Sequence, residues 1–166
     1  MKKENKTNQK FVIFLDVDGV LNSRTTVKQT PMGYRGIDEA RVKMLADAIS
    51  KYGGGKIVLS SDWKELKPDE EDYVYLSSKL EKYGLKISGK TVDCRHNGRG
   101  AGILNYMEEH SEIEEFVILD DNLFDFQDSQ KLWERLLLTN GLEFAKFASG
   151  TPAVETMSFL ECLKSC

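Results

Sequence analysis

Phe11-Val-Ile-Phe-Leu-Asp-Val-Asp-Gly19 opens with five consecutive apolar residues, mostly aromatic or β-branched, and runs straight into two aspartates and a glycine. A short apolar run without polar alternation is what a strand covered on both faces requires, and such strands belong to parallel sheets. Lys56-Ile-Val-Leu-Ser60 and Phe116-Val-Ile-Leu119, the latter followed by Asp120-Asp121, repeat the pattern further along.

The segments between these strands read as helices. Asp38 precedes Val42, Leu45, Ile49 and Tyr52 at spacings of three and four, and Gly53-Gly-Gly55 follows. That is an N-cap, an amphipathic helix and a stop. A second helix is expected over 69–83, with Tyr73, Leu76, Leu80 and Tyr83 on one stripe, and Gly84 ends it before a short strand at Leu85–Ser88. A polar, glycine-rich loop over 89–102 leads into a helix carrying Ile103, Leu104 and Met107. A short helix over 129–135 and a strand at Leu136–Thr139 complete the expected sheet, and Thr151-Pro152 would start a C-terminal helix. Strands alternating with helices predict an α/β fold, a three-layer doubly wound parallel sheet with right-handed crossovers.

The chain has 166 residues, 40% hydrophobic and 30% charged, with 3 Pro and 13 Gly, which is the make-up of a folded globular protein. The expected organisation is a flexible tail over 1–10 and a single domain over 11–166. A net charge of −4 argues against a general polyanion binder. Cys94, Cys162 and Cys166 lack zinc-site spacing and read as free thiols of a reduced intracellular protein. No signal-peptide core and no apolar run of membrane-spanning length is present, so a cytoplasmic location and no membrane partner are expected.

Loops at the carboxyl ends of parallel strands share one crevice. Asp16, Asp18, Ser60, Ser61, Asp120 and Asp121 all follow strands directly, so four carboxylates and two hydroxyls would converge there. Carboxylates so crowded repel unless a cation sits among them, and hard oxygen ligands with room for water and phosphate suit Mg²⁺. A single Asp at a strand end often only caps the next turn. Two pairs in register at two strand ends favour the metal. An EF-hand calcium loop is excluded, because Leu21 stands where that loop needs glycine and a strand precedes it rather than a helix.

With these residues in place, the sequence resembles the haloacid dehalogenase (HAD) superfamily of phosphohydrolases. Its motifs occur in order: Asp16-Val-Asp-Gly-Val-Leu-Asn22, then Ser60, then a basic residue, then Asp120-Asp121. The resemblance implies that Asp16 is the nucleophile attacking phosphorus and Asp18 the general acid and base. It implies that Ser60 hydrogen-bonds the phosphoryl group, that a basic residue neutralises it, and that the acidic pair holds Mg²⁺. An ionised Asp is a competent nucleophile for phosphorus when cations stabilise the transferred group, and a carboxyl two residues on can reach the leaving oxygen. Asp121 is taken as the direct metal ligand beside Asp16, with Asp120 in the outer shell and the Asp18 carbonyl also turned to the metal. Asp125 resembles a further acidic position of part of the family, or is a solvated surface residue.

Three candidates for the basic residue lie in or near the loop that leads into the helix carrying Ile103: Lys90, Arg95 and Arg99. Arg99 is chosen, because a guanidinium just before Gly100-Ala-Gly-Ile103 can offer a fork of donors to phosphate. His96 and Cys94 read as exposed loop residues. A narrower resemblance lies in Leu59-Ser-Ser-Asp-Trp-Lys64 with Arg99-Gly100 and Asp120-Asp121, which is similar to the HAD domains of multi-enzyme RNA-repair proteins. Those usually carry Ser-Ser-x-Trp-Arg, whereas Lys64 stands here in place of the arginine. Trp63 reads as packing beneath its loop rather than as a base-stacking residue.

Neither gap between motifs is long enough for a cap domain, so the resemblance implies a capless member. What remains is a polar flap over 23–36 with Arg24, Lys28, Tyr34 and Arg35. The expected activity is a Mg²⁺-dependent phosphatase acting on a phosphomonoester, small or macromolecular, including a nucleotide or nucleic-acid end, although the net charge gives nucleic acid no support. The competing expectation is a non-catalytic phosphate- or protein-binding module on the same fold, for which loss of Asp16 or Asp18 would have spoken. A mutase-type phosphotransferase is disfavoured, because no cap excludes water.

Overall fold

The computed structural model describes residues 10–93, 98–139, 141, 144–147 and 157–158. Strand β1 (Phe11–Leu15) is followed by helix α1 (Glu39–Tyr52), β2 (Lys56–Leu59), α2 (Glu71–Glu81), β3 (Ile87–Lys90), α3 (Gly98–Glu109), β4 (Glu115–Asp120), α4 (Gln130–Trp133), β5 (Leu136–Thr139), β6 (Phe144–Phe147) and β7 (Met157–Ser158). A single 3-10 turn, Asp62–Glu65, follows β2.

The sheet order is β3-β2-β1-β4-β5-β6-β7. The first five strands in that order pair in parallel, which is the doubly wound α/β arrangement. Every residue of β1 is buried, and its side chains divide by parity as a strand covered on both faces must. Phe11, Ile13 and Leu15 pack with Val42, Leu45 and Ile49 of α1 and with Leu76 and Leu80 of α2. Val12 and Phe14 pack on the opposite face with Ile103 of α3 and Leu132 of α4. The three layers thus follow from one uninterrupted apolar strand, each large side chain contributing ~1.5–3 kcal/mol by leaving water. Among the described residues neither crossover contains a cap domain, and no helix is long and apolar enough to cross a membrane.

Several sequence expectations need correction. The sheet does not end at β5: β6 pairs antiparallel to β5, and β7 antiparallel to β6. The connection from β5 to β6 is too short for a crossover helix, and a chain that turns back so soon can only pair antiparallel. The helix expected at Thr151-Pro152 lies outside the described residues. Asp38 holds the N-cap position of α1, but its side chain makes no capping bond. Its carboxylate instead accepts from Thr26 Oγ1 at 2.6 Å and pairs with Arg41 at 3.0 Å. That local competition ties the helix start to the flap. Cys94, Arg95, His96, Cys162 and Cys166 also lie outside the described residues.

The flap is fastened by a feature the sequence did not mark. Asp72 on α2 is buried, and it accepts from Thr30 Oγ1 at 2.9 Å and from the Met32 N–H at 3.1 Å. Gly36 N–H donates to the Lys28 carbonyl at 2.8 Å, and Tyr75 Oη accepts from Ile37 N–H at 3.0 Å. The loop therefore closes on itself against α2, with Arg24 near one root and Arg35 near the other.

Candidate active site

The chain runs outward from β1 to β2 and β3, then returns to place β4 on the other side of β1. The order reverses between β1 and β4, and ligands of open α/β sheets bind at that switch point. Register does the rest. Leu15 pairs with both Leu119 and Leu59, so the next residues, Asp16, Asp120 and Ser60, emerge side by side. Asp16 N–H donates to the Leu119 carbonyl at 2.9 Å, and Ser60 N–H to the Leu15 carbonyl at 3.1 Å, which fixes the three at their backbones.

Asp16, Asp120 and Asp121 each bring a carboxylate oxygen within 4.8 Å of the others. Asp16 and Asp120 are buried, whereas Asp121 is exposed at the mouth. Burial, and after it the Asp120 charge, push the Asp16 carboxyl up to about 7 against the pull of Arg99. Burial likewise pushes Asp120 up to about 6, although Arg99 and the Asn122 N–H favour its charged form. Burial also raises Asp121. One oxygen of Asp16, Oδ1, is buried without a hydrogen-bond donor among the described residues. Three close carboxylates, with an acceptor left open among them, fit a hard dication ligated through oxygen. Asp120 has both oxygens engaged, by Arg99 Nη1 at 2.9 Å and the Asn122 N–H at 2.9 Å, as suits a group behind the direct ligands.

Arg99 also lies 3.3 Å from Asp16 Oδ1 and 3.6 Å from Asp62, so one guanidinium spans the carboxylates. It reaches them because α3 starts close to the loop after β4: a Cβ at Gly100 would meet the Asp125 carbonyl at 2.4 Å. Of the other two candidates, Arg95 lies outside the described residues and Lys90 turns elsewhere. Its ammonium donates to the Lys64 carbonyl at 3.1 Å and the Leu66 carbonyl at 2.6 Å, and stands 4.4 Å from the centre of the Tyr73 ring. The Lys64 ammonium is buried opposite the Asp93 carboxylate at 2.9 Å, an ion pair beneath the loop. Asp125 accepts from Asn122 Nδ2 at 3.3 Å and lies against Gly98 at the start of α3, outside the three-carboxylate group.

The Asp18 carboxylate also stands apart from that group. Asn22 Nδ2 donates to its Oδ1 at 2.8 Å, and the Trp63 indole N–H donates to its Oδ2 at 2.9 Å. Trp63 is buried, as its packing role requires, yet it is also the residue that aims Asp18. Sequence alone missed this, since nothing in a Trp four residues after a strand says where its N–H points. The turn itself depends on Gly19, at φ 81°, where a Cβ would fall 2.1 Å from Asp121 Oδ2. Only glycine lets the Asp18 turn and the Asp121 carboxylate approach so closely. Ser60 is buried with its hydroxyl free of any partner among the described residues, and the Ser61 side chain favours the charged form of Asp16.

None of the curated proteins compared matches the chain, and neither does any solved structure. Residues 12–143, which carry all of this geometry, match the family described as the HAD domain in Swiss Army Knife RNA repair proteins, and the chain belongs to that HAD-superfamily family.

Proposed function

We propose that this chain is a Mg²⁺-dependent phosphomonoesterase working through a phosphorylated Asp16. The observation that carries the proposal is the Asp16 oxygen that no hydrogen bond among the described residues engages, beside Arg99 at 3.3 Å, together with the Ser60 hydroxyl, which likewise has no partner among them. An acceptor, a cation and a free donor are what an incoming phosphoryl group needs. Arg99 and Ser60 bind its oxygens, and Asp16 attacks phosphorus as the bond to the leaving oxygen breaks. Asp18, in its acid form, gives that oxygen a proton. Its carboxylate then takes a proton from the water that attacks phosphorus, and the bond to Asp16 breaks to release inorganic phosphate. Mg²⁺, held by Asp16 and Asp121 with Asp120 behind them, would neutralise charge on the transferred group. The Asp18 carboxylate is held by Trp63 and Asn22, and its main-chain carbonyl would serve as a further oxygen ligand.

Release of phosphate from an aryl phosphate, with Mg²⁺ and then with chelator, tests the reading; turnover that survives the chelator refutes it. The family's association with RNA repair puts phosphorylated RNA ends in the follow-up panel, beside nucleotides and phosphopeptides.

Two further outcomes follow from the geometry. Trp63→Phe keeps a ring in the core but removes the donor to Asp18. We expect kcat/KM for an alkyl phosphate to fall about tenfold, since general acid catalysis contributes ~10²–10⁴ and is here misaimed rather than removed. An activated aryl ester, which needs no proton on its leaving group, falls much less. Equal losses on both esters would assign Trp63 a packing role alone.

The second concerns pH. Asp16 and Asp120 bind protons more tightly when folded, at about 7 and about 6, than at the ordinary value of 3.8. Their contribution to metal-free stability is therefore fully present below about pH 4 and is lost as the pH rises through about 7. Divalent metal competes with those protons. The rise in melting temperature on adding Mg²⁺ should be several degrees greater at about pH 7.5 than at about pH 5.5. A metal-induced rise that is the same at both values would place the ion elsewhere.

A further inference from the structure

A cavity of about 740 Å³ opens between the flap and the end of β5. Asp18 and Asp121 line it on the catalytic side, and Arg24, Arg35, Arg41 and Thr139 line it elsewhere. Three arginines lining one cavity are a sharp local departure for a chain of net charge −4. The three are not equivalent. Arg41 is buried, 3.0 Å from Asp38, and donates to Ser23 Oγ at 3.2 Å, so its charge is offset and it braces the flap root. Arg24 and Arg35 are exposed, and neither has a carboxylate within ion-pair distance among the described residues.

Exposed arginines are common, and exposure alone says nothing. What distinguishes these two is that a fixed loop holds them beside the catalytic carboxylates. They stand eleven positions apart, at opposite roots of the flap, and share the cavity because the loop closes through the Gln29–Arg35 bridge and is pinned by buried Asp72. Thr139, on the far wall, belongs to β5 and hydrogen-bonds the Gly19 carbonyl at 3.4 Å, so the cavity floor is tied to the Asp18 turn. A guanidinium offers a planar fork of donors matched to phosphate oxygens. We infer that Arg24 and Arg35 form a subsite for a second phosphate of the substrate, alongside the phosphate under attack at Asp16. This inference rests on the phosphatase reading above. The second phosphate has two sources, the far end of a small bisphosphate or the phosphodiester next to a phosphorylated chain end.

The test compares a butane bisphosphate with butyl phosphate, and a phosphorylated dinucleotide with the phosphorylated mononucleoside. Binding is measured by calorimetry with Mg²⁺ on Asp16→Asn protein, where nothing turns over, and repeated after adding Arg24→Gln and Arg35→Gln. Both arginines are exposed, so the added changes leave the fold intact, which a melting curve verifies. We expect the bisphosphate to bind about tenfold more tightly than the monophosphate, beyond the factor of about two that two equivalent ends supply. The double arginine change should reduce this advantage to that statistical factor, as should raising the salt from about 0.05 to about 0.5 M. The same gain and loss with the dinucleotide identifies a diester as the natural occupant; a gain confined to the bisphosphate identifies a free phosphate. No gain with either pair, or a gain that survives the arginine changes, overturns the subsite. Arg-dependent binding by a wild type that hydrolyses none of these esters with Mg²⁺ refutes the phosphatase reading instead.

Discussion

Asp16→Asn should abolish Mg²⁺-dependent phosphate release, by a factor of about 10³ or more, while leaving the protein folded. The amide is a poor nucleophile toward phosphorus and cannot contribute anionic charge to the metal. Its effect on stability has the opposite sign. Burial, with Asp120 beside it, raises the Asp16 carboxyl to about 7, so at pH 7.5 the folded chain holds an ionised group against its preference. Asparagine removes that cost, and Arg99 keeps its 2.9 Å contact to Asp120. The metal-free variant should therefore melt no lower than wild type at about pH 7.5. At about pH 4, where the carboxyl is protonated anyway, any stability gain should vanish. Dead but stable protein separates loss of chemistry from loss of fold. Retained turnover would remove Asp16 from the mechanism, and a large drop in melting temperature would mean that Asp16 is structural.

Arg99→Met carries the second large effect, because in the proposed mechanism this cation serves the reaction as well as the resting fold. In the free protein it lies within 3.3 Å of Asp16 and 2.9 Å of Asp120, two carboxylates buried side by side. Methionine fills the space but leaves both charges without their cation. Loss of one partner from a buried pair costs ~3–5 kcal/mol, and the partial exposure of Arg99 puts this case near the lower bound. The sign with pH is fixed by the carboxyls. Arg99 favours their charged forms, so its removal costs most above about pH 7 and little near about pH 4, where both are neutral. Chemical denaturation of chelated protein at the two values measures the difference. With Mg²⁺, kcat/KM should fall about 10²–10³-fold, the range for removing a preorganised donor from the transferred group. A pH-independent stability loss would mean that Arg99 acts by packing, and near-normal turnover would shift the phosphate-neutralising role to another cation.

Arg99 is chosen from its place before Gly100, but nothing in the sequence shows what becomes of Lys90. It sits at the end of a strand, as a phosphate ligand would, yet its ammonium is consumed by two backbone carbonyls and the Tyr73 ring. Those partners come from the turn after β2 and from α2, and no spacing rule connects them to position 90. Trp63 is a similar case: its hydrophobicity was legible, whereas its donation to Asp18 depends on the 3-10 turn at Asp62–Glu65 that the sequence did not signal. Asp72 reads as one more charge in an acidic run, and only the closure of the flap against α2 makes it a buried anchor.

By itself the sequence determined the layered architecture and the convergence of Asp16, Ser60 and Asp120. Burial on both faces forces continuous apolar strands, parallel pairing forces helical crossovers, and residues that follow paired strands in register must meet at one edge. Those are local patterns with global consequences. The tertiary structure alone decided where the Lys90 ammonium turns, what holds Asp18, how the sheet continues past β5, and that Arg24 and Arg35 share a cavity. Each depends on where a side chain or a loop comes to rest against elements distant in the chain, and a donor's direction is set by packing that no periodicity encodes.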